Sequence, residues 1–69
     1  MKVYNVLVIN EVNEVKAFNT KEKAQKFKES RVKEITDNGY EIDTETDNYV
    51  YAIGDEDEYT IEIFESEVE

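Results

Sequence analysis

Apolar and polar residues change their spacing several times along the chain, and each spacing predicts a different element. The stretch "KVYNVLVIN" has apolar side chains at odd and even positions, which is typical of a central strand covered on both faces. Asn10 and Asn13 favour a turn after it. "EVKAF" then predicts a second strand in which Lys16 faces outward between Val15 and Ala17. We expect the two strands to form a hairpin.

A helical spacing follows over about residues 20–37. Asn19 or Thr20 can cap its first turn, and Asn19 with Glu22 three positions later resembles a capping box. Gly39 predicts the helix end, because glycine accepts the left-handed backbone that commonly follows a last turn. The predicted buried face is mostly apolar and consists of Ala24, Phe27, Ile35, Val32 at its edge and an intruding Arg31.

The stretch "YEIDTETDNYVYAIG" allows two interpretations. One is a strand at 40–46, a turn at Asp47 and Asn48, and a strand at 49–53. The other is an acidic loop followed by a single strand at 48–53. "YVYAI" is strand-like in both.

Strict alternation marks the last strand, where "YTIEIFE" sets Tyr59, Ile61 and Ile63 against polar neighbours. Residues 66–69 are expected to fray. The predicted order is β-β-α-β-β, with one extra short strand if 40–46 is extended. We therefore expect a single domain over 1–69 of the α+β class, a two-layer fold with an antiparallel sheet and one helix on one face. The other face would carry uncovered apolar side chains, and we expect a homodimer that packs either sheet to sheet or edge to edge.

Charge is divided unevenly along the chain. The net charge is −10, yet all eight Lys and Arg lie within residues 2–33, and residues 34–69 hold fourteen acids and no base. The fourteen unbalanced acids repel one another, and this repulsion lowers the stability of the fold. Such a surface favours a basic partner, or a protein whose basic groove normally holds nucleic acid. It opposes direct binding to nucleic acid or to an anionic membrane. Acids also keep small proteins soluble and deter aggregation of edge strands, and that simpler role stays open.

Basic residues of the helix do not form a continuous stripe. Glu22, Glu29 and Glu34 interrupt the lysines, and several opposite charges are three or four positions apart. This pattern predicts a solvated helix face rather than a nucleic-acid-binding one.

Residues that carry most enzymatic chemistry are missing from the sequence. The chain has no His, no Cys and only two glycines, so proton shuttles, thiol nucleophiles, zinc sites and phosphate loops lack their residues. Acids at Asp43, Glu45 and Asp47 resemble the start of a calcium loop, but Asn48 and Gly54 stand where that loop needs Gly and Glu. We expect no catalysis, no metal and no cofactor. Without a membrane-length apolar run or a signal peptide, we expect a cytoplasmic protein.

Two acidic groups and two tyrosines are the candidate partner contacts. If residues 41–47 are extended, one side repeats carboxylates every 6.6–6.8 Å or so, a spacing similar to the roughly 6–7 Å between successive phosphates of a nucleic-acid strand. Tyr49 and Tyr51 share a strand face, and tyrosine suits interfaces. The acidic candidates are Glu41, Asp43, Glu45 and Asp47 in the first group and Asp55, Glu56, Asp57 and Glu58 in the second.

The chain resembles the small, acidic, cysteine-free proteins that bacteriophages and mobile elements of low-GC Gram-positive hosts encode early in infection. The likeness rests on size, on a composition rich in Lys, Glu and Asn, and on "AFNTKEKAQKF" opening a helix after a short hairpin. Members of this class often inhibit host defence or DNA-processing enzymes, some by imitating DNA.

The resemblance implies a non-enzymatic, stoichiometric inhibitor in the cytoplasm of a bacterial host. Such a protein would occupy the basic nucleic-acid site of a nuclease or another defence protein, for example a CRISPR effector or a restriction enzyme. The alternative is a small structural or regulatory homodimer whose open sheet face is the interaction surface.

Overall fold

A five-stranded antiparallel sheet with one helix packed on one face makes up this computed structural model, which describes residues 1–68. Sheet neighbours follow the order β2-β1-β5-β4-β3. The predicted two-layer α+β class is confirmed, and of the two interpretations of the stretch before "YVYAI" the structure has the one with an extra short strand. The elements in chain order are β1 (Lys2–Ile9), β2 (Asn13–Phe18), α1 (Lys21–Asp37), β3 (Glu41–Glu45), β4 (Tyr49–Ile53) and β5 (Glu58–Glu67).

The predicted hairpin of β1 and β2 is confirmed, but the faces of β2 are opposite to those expected. Lys16 lies opposite the buried Val6, on the side of the helix, so Val15 and Ala17 lie on the uncovered side. The reason is Phe18, whose ring packs 5.4 Å from that of Phe27 of the helix. An aromatic ring gains more from burial than Val15 or Ala17 would, so Phe18 sets which face of β2 meets the helix.

Helix α1 begins and ends close to the predicted positions. Thr20 is the N-cap, and its hydroxyl oxygen accepts from the backbone N–H of Lys23 at 3.2 Å. At the other end the N–H of Gly39 donates to Thr36 O and that of Tyr40 to Ile35 O, both at 3.1 Å. With Gly39 at φ 96°, these two bonds form a Schellman motif, so the glycine stop is confirmed.

The core lies between the helix and one face of the sheet. Lys28 is buried beside it, and its ammonium group donates to the carbonyl oxygens of Thr46 at 2.7 Å and Asp47 at 3.2 Å. The lysines of the helix are predicted to lie on a solvated face, but Lys28 is an exception, because its side chain fastens the helix to the β3–β4 turn. The buried apolar residues are Val6, Val8, Ala24, Ile35, Val50, Ala52, Ile61 and Ile63.

The last strand is longer than the alternation alone predicts. Ser66 and Glu67 pair with Val3 and Lys2 of β1, where the sequence predicted fraying. These pairs exist because β1 begins at residue 2 and offers partners up to that point. The predicted fraying of Glu69 lies outside the described residues.

Candidate partner-binding surface

One whole face of the sheet has no helix over it. We call this surface the open face. Strand β1 lies inside the sheet and the helix covers it on one face only, so its other face carries uncovered apolar side chains, as predicted for a single chain. Its apolar side chains Leu7 and Ile9 lie on the open face, next to Val15, which is 60% exposed. Phe64 adds an exposed ring opposite Asn5. The open face is therefore partly apolar, which is typical of a surface that meets a partner.

Acids and tyrosines occupy the half of the open face formed by β3, β4 and β5. Tyr49 lies opposite Glu62, and Ile53 lies between Glu58 and Glu41 on the neighbouring strands. Tyr49 and Tyr51 share this face, as the sequence predicted. We call this half the acidic face, and its members are Glu41, Thr44, Tyr49, Tyr51, Ile53, Glu58, Thr60 and Glu62.

The carboxylate row predicted for β3 is not formed. Pairing with β4 shifts between Ile42 and Thr44, which leaves Asp43 as the extra residue of a β-bulge. Because the bulge changes the parity of the strand, Glu41 lies on the open face and Glu45 on the side of the helix. The prediction assumed regular pairing, and nothing in the acidic sequence marks the bulge. Asp47, the fourth acid of the predicted row, lies beyond the strand, in the β3–β4 turn.

The turn between β4 and β5, residues 54–57, forms a second acidic feature, which we call the acidic turn. Asp55 and Glu56 are exposed. Asp57 is half-buried, and its carboxylate accepts from the Tyr40 hydroxyl and, at 3.1 Å, from the Asn10 amide. Hydrogen bonding to Asp57 raises the pKa of Tyr40 to about 12, and the bonds from Tyr40 and Asn10 lower the pKa of Asp57. Asp57 therefore holds the turn in place, whereas Asp55 and Glu56 remain free to meet a partner.

Tyr51 and Glu58 form a pair on the acidic face. The Tyr51 hydroxyl donates to the Glu58 carboxylate, and this bond raises the pKa of Tyr51. The pair presents an aromatic ring and a negative charge side by side. Sequence reasoning selected both residues but gave no sign that they contact each other.

A depression of about 500 Å³ joins the acidic face to the acidic turn. Asn10 and Glu11 of the β1–β2 turn line one side, and Ile53, Glu58 and the acidic turn line the other. Its charged side chains are all acidic, so a basic side chain of a partner suits it. Glu11 was not among the predicted contacts, because the sequence gave no reason to bring the two turns together.

Cations do not balance this surface. Within residues 1–68, the ion pairs link the terminal amino group to Glu67, Lys2 to Glu65, Lys26 to Glu22 and Arg31 to Glu14. In the described part of the chain, no acid from Glu34 to Glu62 has a basic group within ion-pair distance. The acids of the open face and the acidic turn therefore stay unbalanced, although the Lys28 ammonium group reaches the β3–β4 turn from the side of the helix.

Comparison with known proteins found no matching family model, curated protein or solved structure. In residues 1–68, the helix is too short and too polar to cross a membrane, and no three acidic side chains are grouped so that they could hold a metal ion. Functional inference therefore rests on the geometry and charge of the open face.

Proposed function

We propose that this chain is a non-enzymatic binding protein that presents its acidic face to the basic nucleic-acid site of another protein and so blocks it. The target class is a nuclease or another DNA-processing or defence protein. One observation carries the proposal: three carboxylates and two tyrosines lie together on an uncovered sheet surface, and no basic group of residues 1–68 forms an ion pair with these carboxylates.

The spacing of the charges suits a broad basic groove. Glu58 and Glu62 are four residues apart on β5, about 13–14 Å along the strand. Glu41 and Glu58 flank Ile53 on opposite sides, about 10 Å apart across β4. Separate Lys and Arg side chains of a groove could each meet one carboxylate. Opposed charge would speed the encounter, and the tyrosine rings would supply contact area.

In this proposal the chain imitates nucleic acid through the density of its negative charge and not through a row of carboxylates spaced like phosphates. The bulge at Asp43 removes the row in β3, so the proposal rests on the acidic face and on Asp55 and Glu56 beside it. Together with the composition typical of phage-encoded inhibitors, this surface supports a host defence protein as target and the cytoplasm of a bacterial host as the place of action.

Two triple variants test the role of the acidic face. The face variant carries Glu41→Gln, Glu58→Gln and Glu62→Gln, and the helix variant carries Glu22→Gln, Glu29→Gln and Glu34→Gln. Each removes three carboxylates and takes the net charge from −10 to −7. Asp57 is left intact because its loss would release the Tyr40 hydroxyl and disturb the acidic turn.

The measurement is capture on tagged protein from a Gram-positive lysate at low and high salt, with mass spectrometry of the retained proteins. We expect wild type and the helix variant to retain a nucleic-acid enzyme at low salt and release it at high salt, because exposed charges are screened. We expect the face variant to retain at least about tenfold less, since each lost charge contact is worth roughly 0.5–1 kcal/mol. Equal retention by the two variants would contradict the proposal.

The apolar part of the open face favours a second candidate function. Val15 and Phe64 are 60% and 41% exposed, which suits a small structural or regulatory homodimer packed through this face. In that case the acids only maintain solubility. Both triple variants would then behave like wild type, and substitution of Phe64 would alter self-association instead.

A further inference from the structure

Strand β2 forms one edge of the sheet, and no described element pairs with its outer side. Alternate backbone N–H and C=O groups of an edge strand point outward and can accept another strand. Natural edges are commonly protected by proline, by bulges or by charge. The opposite edge, β3, has a bulge and a run of acids. β2 has no proline, and its pairing with β1 is regular over six residues.

The sequence of β2 is complementary to itself. In an antiparallel pair of two β2 strands related by a two-fold axis at Val15, Glu14 of each copy lies directly opposite Lys16 of the other. Opposite charges in that position stabilise a sheet, and like charges destabilise it. Moving the axis to Glu14 would place the two Glu14 carboxylates opposite each other, and moving it to Lys16 would do the same with two ammonium groups. Only the register centred on Val15 matches both charges.

Neighbouring side chains already hold this edge in position. Arg31 donates to the Glu14 carboxylate at 2.6 Å, and both Arg31 and Lys16 lie over the Phe27 ring, at 5.2 and 5.3 Å from its centroid. Because these contacts fix Glu14 and Lys16 on one side of β2, less side-chain entropy is lost when a second strand arrives. Val15 is 60% exposed on the other side and would be partly covered by its own equivalent.

The distribution of charge also selects this edge for contact between two copies. Each chain carries −10, so two copies repel each other overall. The basic residues all lie within residues 2–33, which form β1, β2 and α1, and the unbalanced acids lie at the β3 side. Joining two β2 edges therefore brings the least acidic parts together and keeps the acidic faces at the far ends.

We infer that a second copy of this chain is the partner of β2, paired antiparallel about Val15 so that two sheets become one continuous sheet. The acidic face stays uncovered in this dimer. The inference is thus independent of the proposed function, and either can fail without the other.

A single cysteine tests the register, since the natural chain has none. Directly opposite residues have Cα atoms about 4.5–5.5 Å apart, within disulfide reach. Val15→Cys is therefore expected to form a dimer under mild oxidation, seen on a non-reducing gel. Val12→Cys is the control: Val12 is 79% exposed, but its two copies would lie about 20 Å apart. Equal cross-linking of the two variants would overturn the register.

Charge-reversal variants distinguish a dimer paired through the β2 edges from a dimer packed through the open faces. Lys16→Glu and Lys26→Glu both take the net charge from −10 to −12, but only the first changes β2. By sedimentation equilibrium, we expect Lys16→Glu to weaken dimerisation about tenfold or more, because two cross-strand attractions become repulsions. Lys26→Glu should have a much smaller effect. The double variant Glu14→Lys/Lys16→Glu restores the opposed charges and should recover dimerisation.

Two results would overturn the inference. One is a mass of 8.1 kDa for wild type at every concentration measured. The other is equal dimerisation of the Lys16→Glu and Lys26→Glu variants, which would place the contact elsewhere. Circular dichroism shows whether each variant is folded. If a charge variant does not fold, the comparison of Val15→Cys with Val12→Cys still tests the register.

Discussion

Tyr40 is the residue on which the shape of the acidic turn most depends. Its ring meets that of Tyr59 edge-on, with centroids 4.9 Å apart, and its hydroxyl donates to Asp57. Gly54 lies against the same ring, where a Cβ atom would come within 2.6 Å of Tyr40 Cε2. In the sequence, Gly54 stood out only as a residue that does not fit a calcium loop, and Asp57 was predicted to contact a partner, because neither close approach leaves a signal in the local pattern.

Gly54→Ala is therefore expected to destabilise the fold by about 1–3 kcal/mol, since the ring must move to admit a methyl group. Urea unfolding measures this change. In a Tyr40→Leu background the same substitution should cost clearly less, because the obstructing ring is gone. An equal cost in both backgrounds would show that the ring is not the obstacle.

The Tyr40–Asp57 bond also predicts how stability changes at alkaline pH. Tyr40 has a pKa of about 12 in the folded chain against an ordinary value of 10.0, so the folded state holds the phenol proton more tightly. Its contribution is fully present below pH 10 and is lost as the pH rises from about 10 to about 12. Across this range the melting temperature of wild type should fall more than that of Tyr40→Phe.

Tyr49→Phe is the matched control, since the Tyr49 hydroxyl makes no hydrogen bond within residues 1–68. Its melting temperature should follow the wild-type curve. A Tyr40→Phe curve as steep as that of wild type would contradict the assignment.

At the scale of elements, the helix and every strand except β3 could be predicted, and the sequence left β3 open between a strand and an acidic loop; the faces of the strands could not all be predicted. The caps at Thr20 and Gly39 and the alternation of "YTIEIFE" are local signals, and they were sufficient for α1 and for β5 up to Glu65. Which face of β2 meets the helix depends on the contact between Phe18 of β2 and Phe27 of the helix, which is a contact between two elements. The bulge at Asp43 likewise depends on pairing with β4. Local patterns do not carry such information.

Lys28 is the clearest case of an element held by a contact that the sequence did not indicate. Lys28→Met keeps much of the buried aliphatic length but removes the donors to Thr46 O and Asp47 O. We expect a loss of about 1–3 kcal/mol in the free energy of unfolding, the usual worth of hydrogen bonds to a charged group.

Lys26→Met is the control for that substitution, because the Lys26 side chain is 73% exposed and only pairs with Glu22. Its effect should stay within about 0.5 kcal/mol. Equal effects of the two substitutions in denaturant unfolding would mean that the β3–β4 turn does not depend on Lys28.

At the scale of the whole molecule, the fold separates three surfaces. The helix covers one face of the sheet, β2 presents a free edge near the basic residues, and the acidic face lies toward β3. The division of charge was visible in the sequence, and so was the shared strand face of Tyr49 and Tyr51. The sequence could not show that a bulge places the acids of β3 on two faces. As a result, the carboxylates of the acidic face are Glu41, Glu58 and Glu62, with Asp55 and Glu56 beside them in the acidic turn.

The central claim is that this acidic face occupies a site that otherwise holds nucleic acid. The most direct measurement is fluorescence anisotropy of a labelled DNA duplex bound to the captured enzyme, titrated with this chain. We predict that the chain displaces the duplex in proportion to its amount, that the helix variant does the same, and that the face variant needs at least about tenfold more. A complex in which enzyme, duplex and chain remain together at saturation would contradict the claim.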